Sequence, residues 1–150
     1  MLVPSWNPSV CLQGGVDSGR PYVWSPLKHM ATLPNDVLIV EDDPIIALDL
    51  EETVLRLGVK SARTASSVAR ALDMLAERAP DLALLDVGLR HENSFAIAEK
   101  LAVQKIPFVF VTGYGSDNVP RAFADRPRLQ KPCTTAALLL VLQRFGAVSE

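Results

Sequence analysis

Asp81-Leu82-Ala83-Leu84-Leu85-Asp86-Val87-Gly88 is an apolar run closed by a carboxylate. A short, continuous apolar segment between polar boundaries reads as a strand buried on both faces. A carboxylate is costly to bury unless it is paired or emerges into a crevice, and in open parallel sheets such crevices lie outside the carboxyl ends of the strands. Asp86 is therefore the first candidate functional residue. Three more segments end in the same manner: Val37-Leu38-Ile39-Val40 stops at Glu41-Asp42-Asp43, Phe108-Val109-Phe110-Val111 stops at Thr112-Gly113, and Arg128-Leu129-Gln130 stops at Lys131-Pro132. Laid parallel, they gather acids, a hydroxyl and an ammonium at one edge of one sheet.

Helical patterns separate these runs, and the alternation is the signature of βαβ units. Pro44 suits the first turn of a helix and Gly58 its end, with Ile46, Ala47, Leu50, Val54 and Leu57 on one face. A second stripe, Pro44, Leu48 and Leu55, exceeds what the core needs. Residues 60–65 form a weak strand at an edge. Ser66 is the expected cap of a helix reaching about Ala79, with Val68, Leu72, Leu75 and Ala76 inward, and Pro80 closes it. A helix from about Ser94 to Gln104 buries Phe95, Ala98, Leu101 and Ala102. Residues 113–126 hold a short helix at best, and the last helix runs from Thr134 to Phe145. Five strands alternating with five helices through right-handed crossovers require an open sheet covered on both faces.

The chain has 150 residues, 49% of them hydrophobic, and a formal charge of −2, enough for one domain with a proper core. Residues 35–150 carry that domain. Residues 1–34 differ, with five of the eleven prolines, both tryptophans and only three charged residues, Asp17, Arg20 and Lys28. They read as a disordered or loosely docked extension in which Trp6, Tyr22, Val23 and Trp24 hint at docking. Met30 offers an alternative translation start just before the domain. The start lacks the basic region of an export signal, and no apolar run nears the roughly 20 residues of a membrane span, so a cytoplasmic protein is expected. The absence of a basic block speaks against DNA binding. Cys11 and Cys133 lack metal-ligand spacing, and His29 and His91 lack partners at such spacing.

Glu41, Asp42 and Asp86 form a set of hard oxygen ligands short of compensating charge, which Mg²⁺ relieves while keeping several of its waters. A carboxylate is also a nucleophile toward phosphorus. Thr112 and Lys131 are the hydroxyl and compact cation that the oxygens of a phosphorylated Asp86 would need. Taken alone, the Glu41-Asp42-Asp43 triplet is as well explained by a helix N-terminus made acidic to suit its dipole.

In this order and at these strand ends, Glu41-Asp42, Asp86, Thr112 and Lys131-Pro132 resemble the receiver domain of two-component response regulators. The resemblance covers residues 36–146. It implies a flavodoxin-like (βα)5 three-layer sandwich with strand order 2-1-3-4-5, and a cis peptide before Pro132. It implies that Asp86 is the phosphoacceptor, assisted by Thr112 and Lys131, and that Mg²⁺ is held by Asp42, Asp86 and the Gly88 backbone carbonyl, with Glu41 acting more through water. Pro107-Phe108-Val109-Phe110-Val111-Thr112-Gly113-Tyr114-Gly115 is similar to the stand-alone subgroup nicknamed FAT GUY, with Val111 in place of the usual alanine. Arg128 stands where many receivers carry an aromatic switch residue, leaving Tyr114 as the switch candidate, and Arg90 stands where a proline often follows the phosphoacceptor.

The function implied is that of a single-domain response regulator in a His-Asp phosphorelay, a signalling domain rather than an enzyme. Its implied partners are a sensor histidine kinase or phosphotransferase and a downstream protein, with the chain itself a monomer or weak dimer. Two alternatives stand beside it. An aspartate-nucleophile phosphatase usually has a second aspartate two residues after the nucleophile, where this chain has Gly88. A phosphorylation-independent flavodoxin-like adaptor would not need the acidic, hydroxyl and lysine positions, all of which are intact.

Overall fold

Side-chain alternation along the strands explains the layers. In the computed structural model, which describes residues 32–89, 92–113 and 119–146, five strands form one parallel sheet: β1 (Asp36–Val40), β2 (Ser61–Ala65), β3 (Leu82–Asp86), β4 (Phe108–Thr112) and β5 (Arg128–Gln130). Their order is β2-β1-β3-β4-β5. Val37, Ile39, Leu82, Leu84, Val109, Val111 and Leu129 face one side, where they pack on α1 (Pro44–Leu57) and α4 (Thr135–Arg144) through Leu50, Val54, Leu138 and Leu142. The intervening residues Leu38, Val40, Ala83, Leu85, Phe108 and Phe110 face the other side, against α2 (Val68–Glu77) and α3 (Phe95–Val103) through Ala71, Leu75, Ile97, Ala98 and Leu101. The expected three-layer α/β sandwich and strand order are therefore both present. These elements belong to one compact unit, 33–148. Of the extension 1–34, only residues 32–34 are among those described.

The described residues contain four α-helices, while the described part of the connection from β4 to β5 holds a 3₁₀ turn, Arg121–Phe123. That turn is anchored by aromatic packing. Phe123 meets the Phe108 ring edge-on at 5.7 Å, and the Arg126 guanidinium lies 4.3 Å from the centre of the same ring. Lys131-Pro132 is cis, as the resemblance implies.

Two local expectations shift. Ser67, not Ser66, caps α2, its hydroxyl accepting from the Arg70 N–H at 3.1 Å. Ala71 is buried in place of Ala76, because Ala71 lies one turn from both Val68 and Leu75 on the face they share with Leu72, whereas Ala76 lies beyond its margin. On α3, Ile97 is fully buried, while Phe95 and Ala102 lie partly buried at the margin of that core. On α1 the second stripe emerges as expected: Leu48 and Leu55 are exposed, and Ile45 beside them is 78% exposed. No helix among the described residues is long and apolar enough to cross a membrane.

Candidate functional site

Strand register brings the acids together. Val40 of β1 lies beside Leu85 of β3, so the next residue of each strand sets Glu41 level with Asp86. Both continue the sheet face that carries α1 and α4. The strand ends are tied by backbone bonds: Glu41 N–H donates to the Ala65 carbonyl at 3.0 Å, Val87 N–H to Val111 at 3.1 Å, and Lys131 N–H to Thr112 at 2.7 Å.

The acidic triplet after β1 divides its labour. Asp43 is the N-cap of α1, its carboxylate accepting from the Ile45 and Ile46 N–H groups at 2.9 and 3.3 Å. Its own N–H donates to Glu41 Oε1 at 3.1 Å, which aims the Glu41 side chain back across the sheet edge. The helix-terminus explanation therefore holds for Asp43 alone. Glu41, Asp42 and Asp86 each offer a carboxylate oxygen, and these oxygens lie within 4.8 Å of one another.

Lys131 is the counter-charge. Its Nζ stands 2.8 Å from Glu41 Oε2 and 3.2 Å from Asp86 Oδ1. Apart from this ammonium, Glu41 Oε2 has no hydrogen-bond partner among the described residues, although it is buried. Asp86 Oδ1 also accepts the Gly88 N–H at 3.2 Å, a local turn that ties the chain just after β3 to the Asp86 carboxylate. Burial, reinforced by the charge of Asp86, raises the Glu41 pKa against the opposing pull of Lys131 and the Asp43 N–H. Burial disfavours the Lys131 ammonium, yet Glu41 and Asp86 outweigh it and raise the Lys131 pKa.

Thr112 ends β4 one residue beyond the pairing of Asp86 with Val111, and it is almost fully buried. It continues the opposite sheet face from Asp86, in line with Phe108 and Phe110. Gly88 is exposed, and a β-carbon there would meet open space. Tyr114, Arg90 and His91 lie outside the described residues. Two features of the site escaped the sequence. One is the capping role that singles out Asp43. The other is Glu92, whose carboxylate reaches the Val68 N–H of α2 at 3.1 Å, a contact across 24 residues with no periodic signal to announce it.

Hard carboxylate oxygens from two neighbouring strand ends, Glu41 and Asp42 after β1 and Asp86 at the end of β3, one of them buried without a well-formed hydrogen bond, fit a small divalent cation that takes one or two carboxylates and keeps its waters. The profile of the response regulator receiver domain matches residues 37–143. The chain belongs to the receiver-domain family of response regulators. This is a signalling family whose members typically bind Mg²⁺ in an acidic pocket of this kind and interact with kinases or downstream partners.

The chain is similar to the sensory transduction protein LytT of Enterococcus faecalis, 41% identical over 81 residues that make up 52% of this chain and 34% of LytT. It is similar to the phyllosphere-induced regulator PhyR of Methylorubrum extorquens, 33% identical over 87 residues, 56% of this chain and 33% of that protein. The matched part thus spans about a third of each of these relatives. Among solved structures, SdrG from Sphingomonas melonis Fr1 shares 42% identity at a TM-score of 0.65, covering 73% of this chain and 96% of SdrG. A BeF3-activated conformation of SdrG from Pseudomonas melonis Fr1 shares 42% identity at a TM-score of 0.63, covering 72% and 92%. The PhyR stress response regulator aligns at a TM-score of 0.66 with 26% identity, over 79% of this chain and 47% of that one. These likenesses bear out the resemblance read from the residues.

Proposed function

We propose that this receiver is a phosphorylation-controlled signalling module in which Asp86 takes a phosphoryl group from the phosphohistidine of a sensor histidine kinase or phosphotransferase. The observation that carries this reading is the placement of the buried Asp86 carboxylate 3.2 Å from the Lys131 ammonium and within reach of Glu41 and Asp42. In the transfer, an Asp86 oxygen bonds to phosphorus while the phosphorus–nitrogen bond of the donor breaks, and the imidazole nitrogen keeps that electron pair. Lys131 offsets charge on the transferred oxygens, and Thr112 supplies a hydroxyl once those oxygens extend beyond the strand end. Asp42, Asp86 and the Gly88 carbonyl would hold Mg²⁺, with Glu41 acting more through water. When bound, the ion would neutralise charge on the phosphoryl oxygens.

The exposed stripe of Pro44, Leu48 and Leu55 on α1 begins beside the acidic residues and is the surface offered to the phosphodonor protein. Tyr114 is the proposed reporter of phosphorylation, since Arg128 holds the usual aromatic position on β5. The similarity to SdrG across nearly all of that chain supports a regulator of the stand-alone type acting through a downstream protein, and the BeF3-activated form of that relative supports activation at the aspartate. A cytoplasmic monomer or weak dimer is the matching cellular form.

Incubation of the full chain with acetyl phosphate and Mg²⁺, followed by intact mass and peptide mapping, tests the reading. One phosphate on Asp86, lost in Asp86→Asn and without Mg²⁺, is the expected result. Labelling that persists in Asp86→Asn overturns it.

A further inference from the structure

The acidic site has two walls that belong to different connections. One is the turn from β2 into α2, where Thr64, Ala65 and Ser66 line a cavity of about 330 Å³ together with Glu41, Asp42 and Leu48. The other is the segment after Asp86, in which Gly88 donates to Asp86 Oδ1. Apolar packing brings these walls near one another, since Val87 and Leu89 are buried in the same cluster that Val68 and Leu72 of α2 pack against. Apolar contacts are not directional and do not by themselves set the height of the Gly88 backbone over the site.

Glu92 supplies a directional tie. Its N–H closes a turn on the Leu89 carbonyl at 3.3 Å, and its carboxylate accepts the Val68 N–H, the first residue of α2, at 3.1 Å. A carboxylate on an unpaired N–H at a helix N-terminus is a charge-assisted bond favoured by the helix dipole. The same helix has a separate cap of its own, because the Ser67 hydroxyl takes the Arg70 N–H. Glu92 is thus superfluous as the only cap of α2, and what it adds is a link between the two walls. Residues just beyond it are held independently, with Asn93 Oδ1 accepting the Phe95 N–H at 3.0 Å at the start of α3.

We infer that Glu92 is a positioning residue for the phosphoacceptor site, fixing the Gly88 backbone relative to Asp42 by anchoring the β3–α3 connection to the first turn of α2. This inference rests on the proposed phosphoacceptor function, deepening it by one residue. Glu92 lies on the surface, and its carboxylate is engaged by the Val68 N–H. Its effect passes through Gly88, whose carbonyl is a proposed metal ligand and whose N–H restrains the Asp86 oxygen.

The test uses the full chain and three variants, Glu92→Ala, Glu92→Gln and Ser67→Ala, followed by amide hydrogen exchange at Gly88 without metal and by Mg²⁺ titration of the Gly88 amide signal. Glu92→Ala is expected to speed Gly88 exchange and to weaken Mg²⁺ binding, each about three-fold, the scale of one carboxylate at a helix N-terminus. Glu92→Gln, which keeps an acceptor oxygen, falls between. Ser67→Ala, which removes a cap of the same helix without touching the connection, leaves Gly88 at the wild-type values. Wild-type Gly88 behaviour in Glu92→Ala overturns the inference, as does an equal effect of Ser67→Ala, which would reduce Glu92 to a helix cap. Faster Gly88 exchange in Glu92→Ala in a chain whose wild type shows no Mg²⁺ response upholds the positioning role and sinks the metal-dependent reading instead.

Discussion

The Lys131 ammonium stands 2.8 Å from Glu41 Oε2, joining the end of β5 to the end of β1 across the intervening β3 and β4. The same ammonium reaches Asp86, so one cation serves two carboxylates while Asp42 adds a third to the cluster. Among the described residues, the buried carboxylates of Glu41 and Asp86 thus share one ammonium, and folding must hold these two like charges close together.

Glu41→Gln should stabilise the metal-free protein at neutral pH by about 1 kcal/mol, a single-site effect of ordinary size, while weakening Mg²⁺ binding. The Glu41 pKa is raised, chiefly by burial, so the folded state holds its proton more tightly than the unfolded chain. Stability linked to Glu41 is accordingly full below the unfolded pKa and declines as pH rises through the folded one. The advantage of the Glu41→Gln variant should vanish on acidification. Urea unfolding in chelator at several pH values checks this, and a variant less stable than wild type at neutral pH would refute it.

Asp36→Asn should cost about 1–3 kcal/mol at neutral pH, the scale of a hydrogen bond to a charged group. Asp36 accepts from Arg63 Nη2 at 2.6 Å and Nε at 3.3 Å and from Arg78 at 3.4 Å, at the end of the sheet away from the acidic site. Burial alone would raise its pKa, but Arg63, Ser61 and Arg78 overcome that and lower it. The contribution is present above the unfolded pKa and is lost as pH falls through the lowered folded value. Denaturation midpoints of wild type and variant should therefore converge in strong acid.

Lys105→Gly should stabilise the fold by about 1 kcal/mol, the penalty an L-residue bears in left-handed backbone. Lys105 has φ of 61° and closes α3, with its N–H on the Ala102 carbonyl at 3.1 Å and the Ile106 N–H on Leu101 at 2.9 Å. Gly58 fills the same place after α1 at φ 124°. Thermal unfolding of the variant decides the matter, and a lowered midpoint would show that the Lys105 side chain contributes more than its backbone costs.

Leu48→Glu should slow phosphotransfer from a cognate kinase at least ten-fold, since a charge in the core of an interface commonly costs about 1.4 kcal/mol or more, and leave labelling by acetyl phosphate intact. Leu48 is 54% exposed, so the fold should tolerate the change. Phosphotransfer at the wild-type rate would remove α1 as the docking surface, whereas parallel loss of both reactions would mark a folding defect.

Much of this protein is legible in its residues taken singly and in short windows. Three apolar runs with polar ends, 37–40, 82–85 and 108–111, with two weaker segments, 61–65 and 128–130, and the punctuation of Pro44, Gly58 and Pro80, determine a parallel α/β sheet, because strand and helix periods are local properties. The strand-end position of Asp86, Glu41, Thr112 and Lys131 follows from the same local pattern. Tertiary structure alone decided which acid does what: Asp43 turns to cap α1 while Glu41 and Asp42 turn toward Asp86, a choice between near-identical side chains made by backbone direction. It also decided that Lys105 ends α3, since packing of Ile106 and Leu101 in one core cluster holds a conformation that lysine alone disfavours. The Glu92 tie and the Asp36–Arg63 pair join residues 24 and 27 positions apart. Such pairs have no sequence period, because they arise only when the sheet order brings distant connections side by side.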